Sequence, residues 1–284
     1  MKLKIVLCEG AHDIGFISKI LLANDYKIYD KKIKDFPKPL NEYIKKKMSK
    51  DQVGDKKLGF SANYSIPFAS YTDKDSLILF HNMGGDKTTE ERCRLMDEYI
   101  DIIDGIKDRT IYTNSEIEDV DFYMFFDSDD LGIEGRLEVV RTIFSEKYGI
   151  PREKIRHGEK TDEGKVSFGV YVFHDRKDPE KKGTLEDQII SLFTENNKDI
   201  VDKANIYLTN NELGIDRTKE YYVDKDTYKG SSKFDKKKSL ISVAGQLQFS
   251  GMNNSVIIAK SDYITKQNIF DDVECQMIMN LLKQ

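Results

Sequence analysis

Three acidic groups in this sequence have the residue types and spacing to hold a hard cation. They are Glu9 with Asp13 in CEGAHD, Asp127 with Asp129 and Asp130 in FFDSDD, and Glu186 with Asp187 in GTLEDQ. Carboxylates gathered in one place repel one another unless a cation neutralises them. Hard oxygen donors suit magnesium, which keeps several waters and needs few protein ligands. One or two such ions can position a water, neutralise a phosphoryl group and stabilise a leaving oxygen, the three needs of phosphodiester hydrolysis. A single Asp at a strand end is ordinarily a turn or cap residue. The functional reading therefore rests on the joint arrangement.

The elements that would position these groups are legible as apolar runs. Lys2 to Cys8, Ser76 to His81, Phe122 to Phe126 and Val166 to Phe173 read as four strands, and the first and third lead straight into acidic groups. Continuous apolar runs mark buried parallel strands, and the carboxyl ends of such strands are where an open α/β sheet presents its chemistry. Helical periodicity falls over His12 to Ala23, Glu90 to Ile106, Ile133 to Tyr148 and Leu185 to Phe193, with Thr184 as the expected N-cap of the last. Strand and helix alternate, so the sheet should be parallel with right-handed crossovers. Asp30 to Lys57, with its Lys-rich run KIKDFPKPLNEYIKKKMSKD, reads as part of an insertion carrying a short helix, outside the central sheet. Beyond Glu195 the pattern turns mainly helical over Lys198 to Asn211, Lys238 to Phe249 and Asn268 to Leu282, with Val256 to Ala259 as an edge strand.

Composition narrows the function classes. A net charge of −5 argues against coating nucleic acid by bulk electrostatics, while the 45 Lys and Arg leave room for a local basic groove. Cys8, Cys93 and Cys275 are far apart and lack metal-ligand spacing, so neither a disulfide framework nor a zinc site of cysteines is expected. No apolar run reaches the roughly 20 residues of a membrane span, and the opening run is broken by Glu9 before it could form a secretory signal. A soluble cytoplasmic protein is the expectation. His81, His157 and His174 have no recurrent spacing and receive no role, and His12 reads as a histidine at a helix start that could assist proton transfer.

A strand ending in Glu-Gly, then a later strand ending in Asp-x-Asp, resembles the Toprim domain of topoisomerases, bacterial primases, RNA-maturation nucleases and overcoming-lysogenization-defect nucleases. CEGAHD and FFDSDDLG carry the resemblance; the NMGGDK turn and GTLEDQI are similar to further Toprim features. The match spans residues 1–195, with 26–75 as an insertion, followed by a mainly helical region over 196–284 packed on it. It implies a Toprim-like open parallel sheet flanked by helices, and magnesium (or manganese), one or two ions, as cofactor. By the resemblance Asp127 and Asp129 bind metal, Asp13 and Glu186 are candidates for a second ion, and Glu9 is a ligand or the general base. Asp130 and Asp187 stand beside these as further acidic candidates. Lys238, at the start of a C-terminal helix, is similar to a basic residue of the related nucleases and would meet the scissile phosphate.

The function implied is a magnesium-dependent nuclease acting on DNA or RNA, in defence or RNA processing, with a partner ATPase as an associated expectation. A topoisomerase or primase would need further domains for which this chain has no room. Two other readings stand against the nuclease. FFDSDD also resembles the start of a haloacid-dehalogenase phosphatase, with Asp127 as nucleophile, although Asp130, Leu131 and Gly132 follow where that family places a hydroxyl residue. The other is a non-catalytic Toprim-like module that binds nucleic acid or a partner.

Overall fold

Four buried runs make the parallel centre of the sheet. In the computed structural model, which describes residues 1–48, 53–59, 63–85, 89–108, 115–211, 219–222, 227–230 and 236–284, these are β1 (Lys2–Cys8), β4 (Ser76–Asn82), β5 (Asp119–Asp127) and β7 (Ser167–Phe173). β1 lies between β4 and β5, parallel to both, and β5 pairs in parallel with β7. Every residue of β1 after Lys2 is buried, as expected of a strand covered on both faces.

Three short strands extend this centre on its edges, giving the order β2-β3-β4-β1-β5-β7-β6. β2 (Lys27–Ile28) and β3 (Ala69–Thr72) run antiparallel on one side, and β6 (Glu159–Thr161) runs antiparallel to β7 on the other. The sheet is therefore mixed, where the sequence led us to expect a parallel one. Strands of two to four residues carry too little periodicity to be read from sequence alone. The expected insertion supplies β2 and β3 at its ends and one helix, α2 (Leu40–Met48), between them.

Side-chain alternation along the strands splits the core in two. Val6, Cys8, Tyr123, Phe125, Tyr171 and Phe173 face a layer built from α1 (Ala11–Ala23) and the later helices. Ile5, Leu7, Phe122, Met124, Val170 and Val172 face α2, α3 (Thr89–Lys107) and α4 (Gly132–Tyr148). The result is a three-layer α/β/α arrangement with a helical C-terminal region on one face. The helix α5 (Leu185–Asn210) runs through position 195 and kinks at Asn197 (φ −134, ψ 35), so the chain passes into the C-terminal region along one helix.

After the β8–β9 hairpin (Lys219–Tyr222 with Thr227–Gly230) come α6 (Lys236–Gln246), α7 (Asn254–Lys260), α8 (Lys266–Asp271) and α9 (Val273–Lys283). The edge strand expected at Val256–Ala259 is instead part of α7. Asn253 caps that helix by accepting from the Val256 N–H, and Ile257 and Ile258 are buried against the same core as α1. α7 approaches α1 so closely that a Cβ on Gly15 would lie 2.8 Å from the Ser255 carbonyl oxygen. A four-residue apolar run fits a helix turn as well as a strand, and here tertiary packing decides. No described helix is long and apolar enough to cross a membrane.

Candidate metal and active site

β1 and β5 are neighbours in register, Leu7 opposite Met124, so their carboxyl ends deliver Glu9 and Asp127 to the same edge of the sheet. The next strand, β7, is followed by a loop that brings in the N-terminus of α5, and with it Glu186 and Asp187. α1 starts directly after Glu9-Gly10. Helix N-termini with their exposed N–H groups thus surround the acidic groups and partly offset their charge.

Four of the expected residues converge. The Asp127 carboxyl is pushed well above the ordinary carboxylate range, by burial first and then by the negative charges of Asp13, Glu9 and Glu186. Its Oδ1 accepts the Leu185 N–H at 2.7 Å, which ties the end of β5 to the first turn of α5 and works against that rise. Asp13 is 6% exposed. Burial, aided by Glu186, pushes its carboxyl up to about 6, even though its Oδ2 accepts the N–H groups of Glu9 (2.8 Å) and Gly10 (3.1 Å). Asp13 is therefore both the cap of α1 and a member of the acidic cluster.

Glu186 moves the other way. Burial alone would raise it, but the bond from His12 Nδ1 at 3.1 Å and the positive charge of Lys238 outweigh burial and hold it near 2. The environment thus separates neighbouring carboxyl groups, keeping Glu186 ionised while favouring a proton on Asp127.

The start of α6 supplies the cations. Lys237 Nζ lies 2.6 Å from Asp187 Oδ2, and Lys238 Nζ lies 3.9 Å from Glu186 Oε1. Lys238, singled out by the resemblance, thus stands beside Glu186. Asp187 also accepts the Thr184 N–H at 2.9 Å, so it caps α5 and anchors α6 at once.

Asp129 and Asp130 sit differently. Asp129 adopts φ +46, bridges to Gly183 through backbone bonds, and turns its Oδ2 to Arg136 Nη2 at 2.8 Å. Asp130 is exposed, within electrostatic reach of Lys182. The Gly84-Gly85 turn spends both N–H groups on the Glu9 carbonyl, at 2.9 and 3.1 Å, and so holds the end of β1; Asp86 and Lys87 lie outside the described residues.

Sequence reading missed two features of this edge. Arg92 and Arg136 are 1% and 4% exposed, and their guanidinium carbons lie 4.7 and 6.0 Å from the centre of the Phe126 ring. Arginines on helices ordinarily read as solvated, and nothing in their spacing signalled burial.

The donor set is all oxygen and its members crowd one another electrostatically, the chemistry that suits magnesium. No three of its residues place ligand atoms within 4.8 Å of one another, so a shared ion requires the side chains to draw together. No protein-family model and no curated protein matches the chain. Among solved structures, a hypothetical protein from Pyrococcus horikoshii OT3 is similar in fold, with a TM-score of 0.52 at 13% sequence identity. The match covers 100% of this chain and 97% of that one.

Proposed function

We propose that the protein is a magnesium-dependent nuclease that hydrolyses phosphodiester bonds in DNA or RNA, using a Toprim-like arrangement of carboxylates. The observation that carries this reading is the meeting of Glu9, Asp13, Asp127 and Glu186 at the carboxyl ends of β1 and β5, where Asp127 is held against three other acids. Burying unused carboxylates together is costly, so their gathering points to a cation as the intended occupant.

Asp127 and Glu9 would hold the metal, with Asp13 and Glu186 available to a second ion. When bound, magnesium supplies charge neutralisation at the phosphoryl group and a more acidic water. Should Glu9 not ligate the ion, its carboxylate would be the base that takes the proton from an attacking water. His12, bonded to Glu186, fixes that carboxylate's orientation. Lys237 and Lys238 present ammonium groups beside the cluster, positioned to draw in the phosphate backbone and orient the scissile group.

The test is incubation of the purified protein with single- and double-stranded DNA and RNA in magnesium or manganese. Cleavage should require the ion and stop with EDTA. Glu9→Gln and Asp127→Asn should each lower it by at least about a hundredfold while leaving the fold intact. Absence of cleavage with every substrate and ion, or full cleavage by both variants, overturns the proposal.

A further inference from the structure

A separate cluster of ligand atoms gathers just past the end of β7, the strand beside β5. His157 precedes β6, His174 follows β7 directly, and Glu274 stands in the first turn of α9. Each offers one ligand atom, and these atoms all lie within 4.8 Å of one another. His174 is 3% exposed and Glu274 8%; His157 is half-buried.

The bonds behind these atoms fix how they face the cluster. Pairing between β6 and β7 ends at Val170, and two imidazoles take the Val172 backbone groups beyond it. His174 Nδ1 donates to the Val172 carbonyl at 3.1 Å, so its Nε2 is the atom turned to Glu274 Oε1, 3.6 Å away. That separation is longer than a hydrogen bond. Glu274 Oε2 accepts the Tyr171 hydroxyl at 2.6 Å, and that hydroxyl accepts from Gln188 Nε2 at 3.0 Å. His157 Nε2 is buried with no hydrogen-bond partner.

We infer that His157, His174 and Glu274 form a site for a transition-metal ion of the zinc class, through the two Nε2 atoms and Glu274 Oε1. Two imidazoles and a carboxylate are a borderline donor set that favours zinc over magnesium, and three protein ligands leave a fourth position for water. In tetrahedral coordination ligand atoms stand about 3.3 Å apart, close to the 3.6 Å already present between His174 and Glu274. His174 and Glu274 have the outer hydrogen bonds that orient metal ligands. His157 must shift its proton to Nδ1 and give up the 3.1 Å bond from the Val172 N–H. That leaves the buried Val172 N–H unpaired, at about 1–3 kcal/mol, still small beside the affinity of a zinc site. The ion fastens α9 to the end of β7 and satisfies the orphaned His157 nitrogen.

The competing occupant is a water, accepting from His157 and donating to the other two. Metal-stripped protein titrated with cobalt(II) and then zinc(II) separates them, because nitrogen-ligated cobalt of low coordination number absorbs visibly and cobalt bound by carboxylates and water does so weakly. The site predicts a cobalt spectrum at one equivalent, displaced by zinc. His157→Ala should weaken binding by at least about a hundredfold, beyond the roughly 10–100-fold that loss of an outer partner costs. Asp127→Asn should leave it unchanged, so this site and the acidic cluster fail independently. His157 is only half-buried, so its variant keeps the test usable if His174→Ala does not fold. No such spectrum, or one unaltered by His157→Ala, overturns the inference, as does a zinc-soaked crystal with water and no anomalous signal at this position.

Discussion

Replacing Asp13 with asparagine should stabilise the metal-free protein at alkaline pH, which is unusual for the loss of a helix cap. Burial and the Glu186 charge raise the Asp13 carboxyl from 3.8 to about 6. A carboxyl group whose folded pKa exceeds its unfolded one favours the fold fully below about pH 4 and loses that contribution as pH rises through about 6. The shift of about two pH units is worth about 3 kcal/mol. Asparagine cannot ionise, yet its oxygen can still accept the Glu9 and Gly10 N–H bonds that Asp13 Oδ2 accepts now. It gives up the favourable carboxylate at the N-terminus of α1, about 0.3–1 kcal/mol. Asp13→Asn should therefore exceed the parent by about 2 kcal/mol at pH 8 and no longer exceed it at pH 4. Glu186, held near 2, has the opposite sign and loses its contribution only as pH falls below about 4; it is present in both proteins. The assay is urea unfolding in EDTA across this range, with unchanged m-values. Magnesium should then favour the parent, by about 2.7 kcal/mol at a hundred times its Kd, and the variant less. A variant destabilised equally at pH 4 and pH 8, with no difference in the magnesium response, would show Asp13 to be a cap alone.

Three further outcomes follow from particular contacts. Asp127→Asn should weaken manganese binding at least about a hundredfold, and Asp129→Asn less than about tenfold, because the Asp129 carboxylate is turned to Arg136; calorimetric titration reads both. Gly158 has φ +71, and a Cβ there would run into Met277 Sδ on α9, so Gly158→Ala should cost about 1–3 kcal/mol in denaturant unfolding. Tyr171→Phe removes the hydroxyl shared by Glu274 and Gln188 and should lower stability by about 1–3 kcal/mol, measured the same way.

What could be read from the sequence was what a local pattern encodes. The four central strands and the helices between them appear within a few residues of their expected bounds, because buried strands are continuous apolar runs and amphipathic helices repeat every 3.6 residues. That Glu9 and Asp127 end neighbouring strands was legible for the same reason, each closing such a run. The left-handed backbone of Asp129 and its bond from Arg136 were not, since spacing encodes neither. Nor could α7 be separated from a strand before its packing on Gly15 was known. His157, His174 and Glu274 meet only because β6 stops short of Val172 and α9 docks against the end of β7. Contacts set by strand register and by helix docking over a hundred residues away leave no mark in local spacing.

The most direct measurement is the anomalous scattering of a crystal soaked in manganese, compared with the same soak of Asp127→Asn. The nuclease reading expects one or two ions bridged by Asp127 and Glu9, with Asp13 or Glu186 at the second, and their loss in the variant. Manganese absent from this cluster, or bound there equally in Asp127→Asn, would contradict it.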